Sequence, residues 1–428
     1  MDEVPEFLPR ATRRIAAGPP SGSRMYRLLI RSQSLKAGAV FAIGGVCFAV
    51  GNLLLARALT TDDFAAFTLT LAVGQLATTL GPLGADTIIN RHPANPSTVL
   101  IWRILASSIG TGALIALALW QLYGVSPTVS LLAGTLGAAA STNLVAAAFF
   151  RSRKRFSVSL SMTQGVNLVI LLAAVISLLL VDVSVVLPIC ILVVAFLISA
   201  TTGWFGAFRL DRHEDAIAPA SFPWREGRTI IGTSIAMVML GQLERFALPK
   251  LLGNESLATF AVLAAVAGSA FRVLQFGVGY TLVPRLRDAA TGRDILKIIR
   301  SEAVTAVVLT SSASIAIGLI GRPLAAWMTG GKYELTGLML IAAIVAGYCK
   351  VIASFGSAVV TALGSHGDLG RLRNSAWLAA GAAVVGAVFG ARFGLVGALF
   401  GVACGWSIHA ARAVFLSWPI LSRHGGQP

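Results

Sequence analysis

Charge is scarce in this chain. Only 12% of its 428 residues are Asp, Glu, Lys or Arg, and 56% are hydrophobic. An ordinary soluble domain carries about 25% charged residues. So little charge cannot cover the surface of a soluble protein of this length, which would expose long apolar patches and aggregate. A cytosolic enzyme, a secreted disulfide scaffold and a disordered chain are thereby excluded. Acid is scarcer than base, 18 residues against 34, for a net charge of +16. Such a balance often marks nucleic-acid binding. Here the basic residues fall between apolar runs, so positively charged cytoplasmic loops explain them better, and no nucleic-acid partner is expected. The four cysteines, Cys47, Cys190, Cys349 and Cys404, stand apart inside apolar runs with no CxxC pair. His92, His213, His366, His409 and His424 are equally scattered. Neither set reads as a disulfide framework or a metal site. No GxxxxGK[ST] loop occurs, which argues against ATP hydrolysis by this chain. No cofactor is expected.

Long apolar runs are abundant. A membrane-spanning helix needs about 20 predominantly apolar residues. Twelve such spans are expected, over 37–59, 64–84, 99–122, 127–149, 157–181, 184–208, 229–251, 256–283, 301–320, 337–362, 374–391 and 395–417. The sequence thus predicts an all-α polytopic membrane protein. Its organisation is a basic tail over 1–34, a six-helix bundle over 35–210, a linker over 211–228, a second bundle over 229–418 and a short tail over 419–428. Segment 285–300 (RLRDAATGRDILKIIR) reads as a helix lying along the membrane surface. The loop RSRKR over 151–155 reads as a topology signal, with docking of anionic lipid or an acidic partner as the alternative.

Lys and Arg cluster on one side. With the N-terminus inside, the inner connections hold Arg91, Arg103, Arg151, Arg153, Lys154, Arg155, Arg209, Arg212, Arg225, Arg228, Arg285, Arg287, Arg293, Lys297, Arg300, Arg371, Arg373 and Arg423. The opposite face holds Arg57, Lys250, Arg322, Lys332 and Arg392. That asymmetry predicts both termini in the cytoplasm and an even number of spans.

The halves also resemble each other. ARALTTDDFAAF (56–67) and PKLLGNESLATF (249–260) share a basic-apolar-acidic-apolar order. Arg57 aligns with Lys250, Asp62 with Glu255 and Phe67 with Phe260. Each segment joins the first two helices of a half. Two like-oriented six-helix bundles around a central cavity follow, related by an axis along the membrane normal and suited to alternating access.

At LLLARALTTDDFAAFTLTLAVGQLATTLGPLGADTIINR (53–91) and LERFALPKLLGNESLATFAV (243–262) the chain resembles Wzx-like polysaccharide flippases of the multidrug/oligosaccharidyl-lipid/polysaccharide exporter superfamily. The resemblance implies a bacterial inner-membrane protein. It would move a lipid-linked oligosaccharide, usually on undecaprenyl pyrophosphate, to the outer leaflet, driven by an ion or proton gradient. Membrane lipids and other polysaccharide-biosynthesis proteins are the further partners it implies.

A charged residue at mid-bilayer costs at least ~2.5–3.5 kcal/mol on insertion scales and usually faces a cavity or a partner. Glu244, Arg245, Arg272 and Lys350 lie inside predicted spans. Arg245, Arg272 and Lys350 are the candidates for holding a pyrophosphate, because Lys and especially Arg donate well to phosphate oxygens. All three belong to the second half, so the site is expected to be lopsided. Arg57 is expected at the outer mouth of the cavity, and Asn52, Gln75 and Gln275 against sugar hydroxyls. Glu244 is either a coupling proton acceptor or a counter-ion to the cavity cations. The competing reading pairs these charges structurally between helices. Competing functions are a drug or small-cation antiporter of the same superfamily, which would want an acidic cavity, and a membrane enzyme of polysaccharide assembly. Such an enzyme would need a long outer loop, and the longest here, 321–336, holds one Arg, one Lys and one Glu.

Overall fold

The computed structural model describes residues 33–91, 94–210, 222, 224–287, 289 and 291–425. Residues 1–32 of the expected tail over 1–34, and 211–221 and 223 of the expected linker, lie outside the described residues. Fourteen α-helices account for most of the remainder. The first half comprises α1 (Gln33–Ala58), α2 (Thr61–Leu80), the short α3 (Ala85–Arg91), α4 (Thr98–Tyr123), α5 (Pro127–Ser152), α6 (Phe156–Leu179) and α7 (Val186–Phe208). The second half comprises α8 (Trp224–Leu251), α9 (Asn254–Leu263), α10 (Ser269–Arg287), α11 (Gly292–Thr329), α12 (Gly337–Leu363), α13 (His366–Gly390) and α14 (Gly394–Gly425). A π turn, Ala264–Gly268, joins α9 to α10, so these form a single crossing.

Ten segments are long and apolar enough to cross a membrane. One of them, 367–423, holds both α13 and α14, which meet at the 3-10 turn Ala391–Phe393. Helix α8 falls outside that set, and it is the helix that carries Glu244, Arg245 and Lys250. With it, the described residues hold twelve crossings, in a multi-pass membrane protein. Helix starts follow local chemistry. The side chains of Thr60, Ser97, Ser126, Thr336 and Ser365 accept from backbone N–H groups in the first turns of α2, α4, α5, α12 and α13, satisfying donors that a helix start leaves orphaned.

Large apolar side chains such as Leu114, Leu179, Ile315 and Leu319 point outward, the arrangement expected where the solvent is lipid. Trp102, Trp120, Trp327 and Trp418 are exposed, the first three near ends of α4 and α11, where interfacial Trp is enriched.

The two halves repeat one packing scheme. Numbering crossings within each half, the first packs on the fifth, the second on the fourth, the fourth on the sixth and the fifth on the sixth. These are α1–α6, α2–α5, α5–α7 and α6–α7 in one half. In the other they are α8–α13, α10–α12, α12–α14 and α13–α14. The fold is therefore two like-oriented six-helix bundles. Small residues permit the closest approaches. A Cβ added at Gly386 of α13 would lie 2.5 Å from the carbonyl oxygen of Gly401 in α14, so these backbones touch directly.

Two expectations are corrected. Residues 292–300 are not a separate surface helix. They are the first turns of the 38-residue α11, capped by Thr291. No helix breaker separates Leu296 from the apolar run beyond it, and a helix of this length spans roughly 57 Å, enough to carry Arg293, Lys297 and Arg300 beyond a hydrocarbon core of about 30 Å. Helix α14 also runs into the expected C-terminal tail and ends at Gly425.

Candidate functional site: a cavity with two unlike walls

The two bundles meet along α1 and α2 on one side and α8 to α11 on the other. Between them lies a cavity of about 530 Å³, within the range of small-molecule sites. Its charged lining is Glu244 and Arg245 of α8, Arg272 of α10 and Lys350 of α12, all from the C-terminal bundle. Gln75 of α2 and Gln275 of α10 line it as well.

Glu244 and Arg245 are neighbours on α8, so their side chains leave the helix about 100° apart. Arg245 folds back one turn, and its Nη1 donates to Gln242 Oε1 at 2.5 Å. It is 6% exposed, and its Nε has no hydrogen-bond partner among the described residues. A buried guanidinium N–H without a partner is a donor left unsatisfied beside the cavity. Glu244 turns the other way, with Oε1 4.0 Å from Lys350 Nζ. Lys350 also lies over the Trp406 ring, 5.1 Å from its centroid. Arg272 reaches across the bundle interface and stacks on Phe48 of α1 at 4.9 Å. Lys350 is thus steadied by a carboxylate and a ring, Arg245 by an amide and Arg272 by a ring. Ala264 and Gly268 of the π turn line the same cavity, and interrupted helices of this kind recur at functional sites.

Two expected residues sit elsewhere. Asn52 is buried on α1, where its amide donates to the Phe48 carbonyl at 2.7 Å, and it does not line the cavity. An Asn inside a helix readily bonds back to the carbonyl four residues earlier, which removes it from ligand contact. Arg57 is exposed at the far end of α1. A Cβ placed on Gly330 would be 3.6 Å from its Nε, so it packs against the turn between α11 and α12.

The sequence reading missed Thr163, Gln164 and Asn167 of α6, Gln242 of α8, and the aromatic lining Phe48, Phe271 and Trp406. The run TQGVN (163–167) was a visible signal: three uncharged polar residues within five positions inside an apolar span. A search guided by charge passes over it.

No protein-family model matches the sequence, and no curated protein does. Solved structures do match in fold. One described as the lipid II flippase MurJ in an inward closed conformation aligns over 89% of this chain and 87% of its own, with a TM-score of 0.61 and 13% identity. One described as the inward-facing conformation of a multidrug resistance MATE family transporter aligns over 92% of this chain and 99% of its own, with a TM-score of 0.58 and 14% identity. A transporter from Pyrococcus furiosus, described as having a binding pocket of reversed polarity that suggests a different function, aligns over 94% and 98%, with a TM-score of 0.52 and 16% identity. All three align over nearly the whole chain. The chain has the fold of MOP superfamily transporters.

Proposed function

We propose that this protein is a flippase that moves a lipid-linked, diphosphate-bearing oligosaccharide across the bacterial inner membrane for polysaccharide assembly. It works by alternating access of its two bundles, with both termini in the cytoplasm. The observation that carries this reading is the excess of cations in a membrane-embedded cavity. Among the described residues, Arg245, Arg272 and Lys350 are set against the single carboxylate of Glu244. The surplus is two positive charges, and a diphosphate diester carries one negative charge on each phosphate. Burying three cations within the hydrocarbon span is costly, and an anionic ligand offsets that cost. The Arg272 guanidinium offers a fork of donors to phosphate oxygens, with the Arg245 charge beside it. The distribution of Lys and Arg supports the orientation.

A drug-cation antiporter is the second reading supported by the fold. It would need net negative charge in the cavity, and Glu244 is the only acid lining it among the described residues. An enzyme of polymer assembly finds little support in the short outer loops.

The test is reconstitution of the full chain in liposomes with a fluorescent polyprenyl-diphosphate oligosaccharide in one leaflet. Protein-dependent movement to the other leaflet is expected. Arg245→Ala and Arg272→Ala should each lower the rate at least tenfold, with insertion and abundance normal. Equal rates in wild type and both variants, or no movement by wild type, would overturn the reading.

A further inference from the structure

The cavity is chemically split. Among the described residues, every charged one that lines it belongs to the C-terminal bundle. The N-terminal bundle contributes Gln75 from α2 and Thr163, Gln164 and Asn167 from α6, all polar and all uncharged. On an interior wall within the membrane, amides and hydroxyls carry a lower desolvation cost than charges do, but they still need partners. Among the described residues, Gln164 and Asn167 bond chiefly to each other, Asn167 Nδ2 donating to Gln164 Oε1 at 3.0 Å. The other face of each amide is left for a ligand: the Asn167 oxygen and remaining N–H, and both N–H donors of Gln164.

The pair is seated on α1. A Cβ at Gly44 would come within 3.1 Å of both Asn167 Nδ2 and Gln164 Oε1, so α1 carries a glycine where the amides pack. Phe41 and Phe48, one turn to either side of Gly44 on α1, add apolar rings to the same wall. Donors and acceptors side by side, with no charge and with aromatic faces nearby, match a polyhydroxylated ring with apolar C–H faces.

Resting on the flippase reading, we propose that Gln164 and Asn167, with Gln75, form a glycosyl subsite on the N-terminal bundle. It selects the uncharged sugar of a ligand whose anionic group is held by the C-terminal bundle. A ligand bound this way spans both bundles. Phe48 stands at the seam, part of the amide wall and also the platform for Arg272.

The experiment measures binding of two lipids by the full chain in nanodiscs: undecaprenyl diphosphate, and the same lipid bearing one N-acetylhexosamine. Wild type should bind the glycosylated lipid at least tenfold more tightly. Gln164→Leu/Asn167→Leu should reduce that preference below threefold while shifting the bare lipid less than twofold. Gln164→Ala alone should act in the same direction and more weakly. Arg272→Gln should weaken both lipids together. Retention of the tenfold preference by the double variant would overturn the subsite, as would equal loss of both lipids or a wild type that shows no preference. Failure of wild type to bind either lipid would instead overturn the anion-binding reading beneath it.

Discussion

At the scale of single residues, the cavity shows how few charges a membrane interior holds and how closely each is kept. Lys350 has Glu244 4.0 Å from its ammonium and the Trp406 ring on another side. Removing one partner from a buried ion pair leaves the other charge uncompensated. Glu244→Gln should therefore lower the thermal midpoint of the detergent-solubilised protein. It leaves Lys350 among Arg245 and Arg272 with no acid to offset them. The double variant Glu244→Gln/Lys350→Met should recover part of the loss, with a coupling of about 1–3 kcal/mol in a double-mutant cycle. Strict additivity of the two changes would mean that Glu244 is not the counter-ion of Lys350. Three of the four charges were nameable from sequence as ligand candidates, because any Arg or Lys inside an apolar run demands a reason. Gln164 and Asn167 raised no such demand, and a neutral amide in a span is cheap enough to pass for packing.

At the scale of the helix, start signals were legible because they are local. Ser365 and Asp368 form a reciprocal capping box at the start of α13. The Ser365 hydroxyl donates to Asp368 Oδ2 at 2.7 Å and its backbone N–H does so at 3.0 Å. These bonds to the charged form, the hydroxyl's foremost, hold the Asp368 carboxyl below its usual 3.8. A carboxyl depressed in the folded state stabilises that state above its unfolded value, and the contribution is lost as pH falls through the folded value. Ser365→Ala should cost about 1 kcal/mol at neutral pH and flatten the loss of stability seen on acidification below 3.8. Thermal melts at stepped pH check both. An identical acid limb in the variant would show that the cap does not control this end of α13. The extent of α11 was less legible. Segment 285–300 reads as amphipathic and interfacial, but helix propagation carries on wherever no breaker intervenes, and the run from Asp294 into the apolar stretch contains none.

At the scale of the whole molecule, the bundles are joined at the end opposite the start of α1. The Tyr123 hydroxyl donates to the Phe246 carbonyl at 3.0 Å, with Lys250 over its ring. Asn254 Nδ2 donates to Asp62 Oδ1 at 2.9 Å, linking the two corners that the sequence aligned. Lys332 donates to the Leu59 and Ala56 carbonyls at the end of α1, where a cation suits the C-terminal dipole. Burial of its ammonium pushes Lys332 below the usual lysine value, against the pull of Asp63. The cavity lining, by contrast, includes Phe41, Gln75 and Thr163, toward the other end of α1, α2 and α6. These cross-bundle bonds close one end of the central space. Tyr123→Phe/Asn254→Ala should loosen it. Spin labels at Asp182 and Glu334, on a background lacking the native cysteines, should then show a longer-distance component that wild type lacks. An unchanged distance distribution would assign the closure to apolar packing, with Phe64 and Tyr333 (6.1 Å between ring centroids) at its centre.

Sequence alone determined the helical class, the twelve crossings, the repeat and the presence of costly charges within spans. Each of these follows from composition and local periodicity: lipid demands internally bonded helices about 20 residues long, and every intramembrane charge must be accounted for. Tertiary structure decided which polar groups meet. Helix rotation and bundle packing brought Arg245, Arg272, Lys350 and Glu244 into one cavity, turned Asn52 onto its own backbone and left Arg57 against the turn between α11 and α12. They also set the neutral amides of α6 opposite the cations. The Glu244–Lys350 and Phe48–Arg272 contacts join residues more than a hundred positions apart, and no local pattern specifies which faces of two distant helices will look at each other.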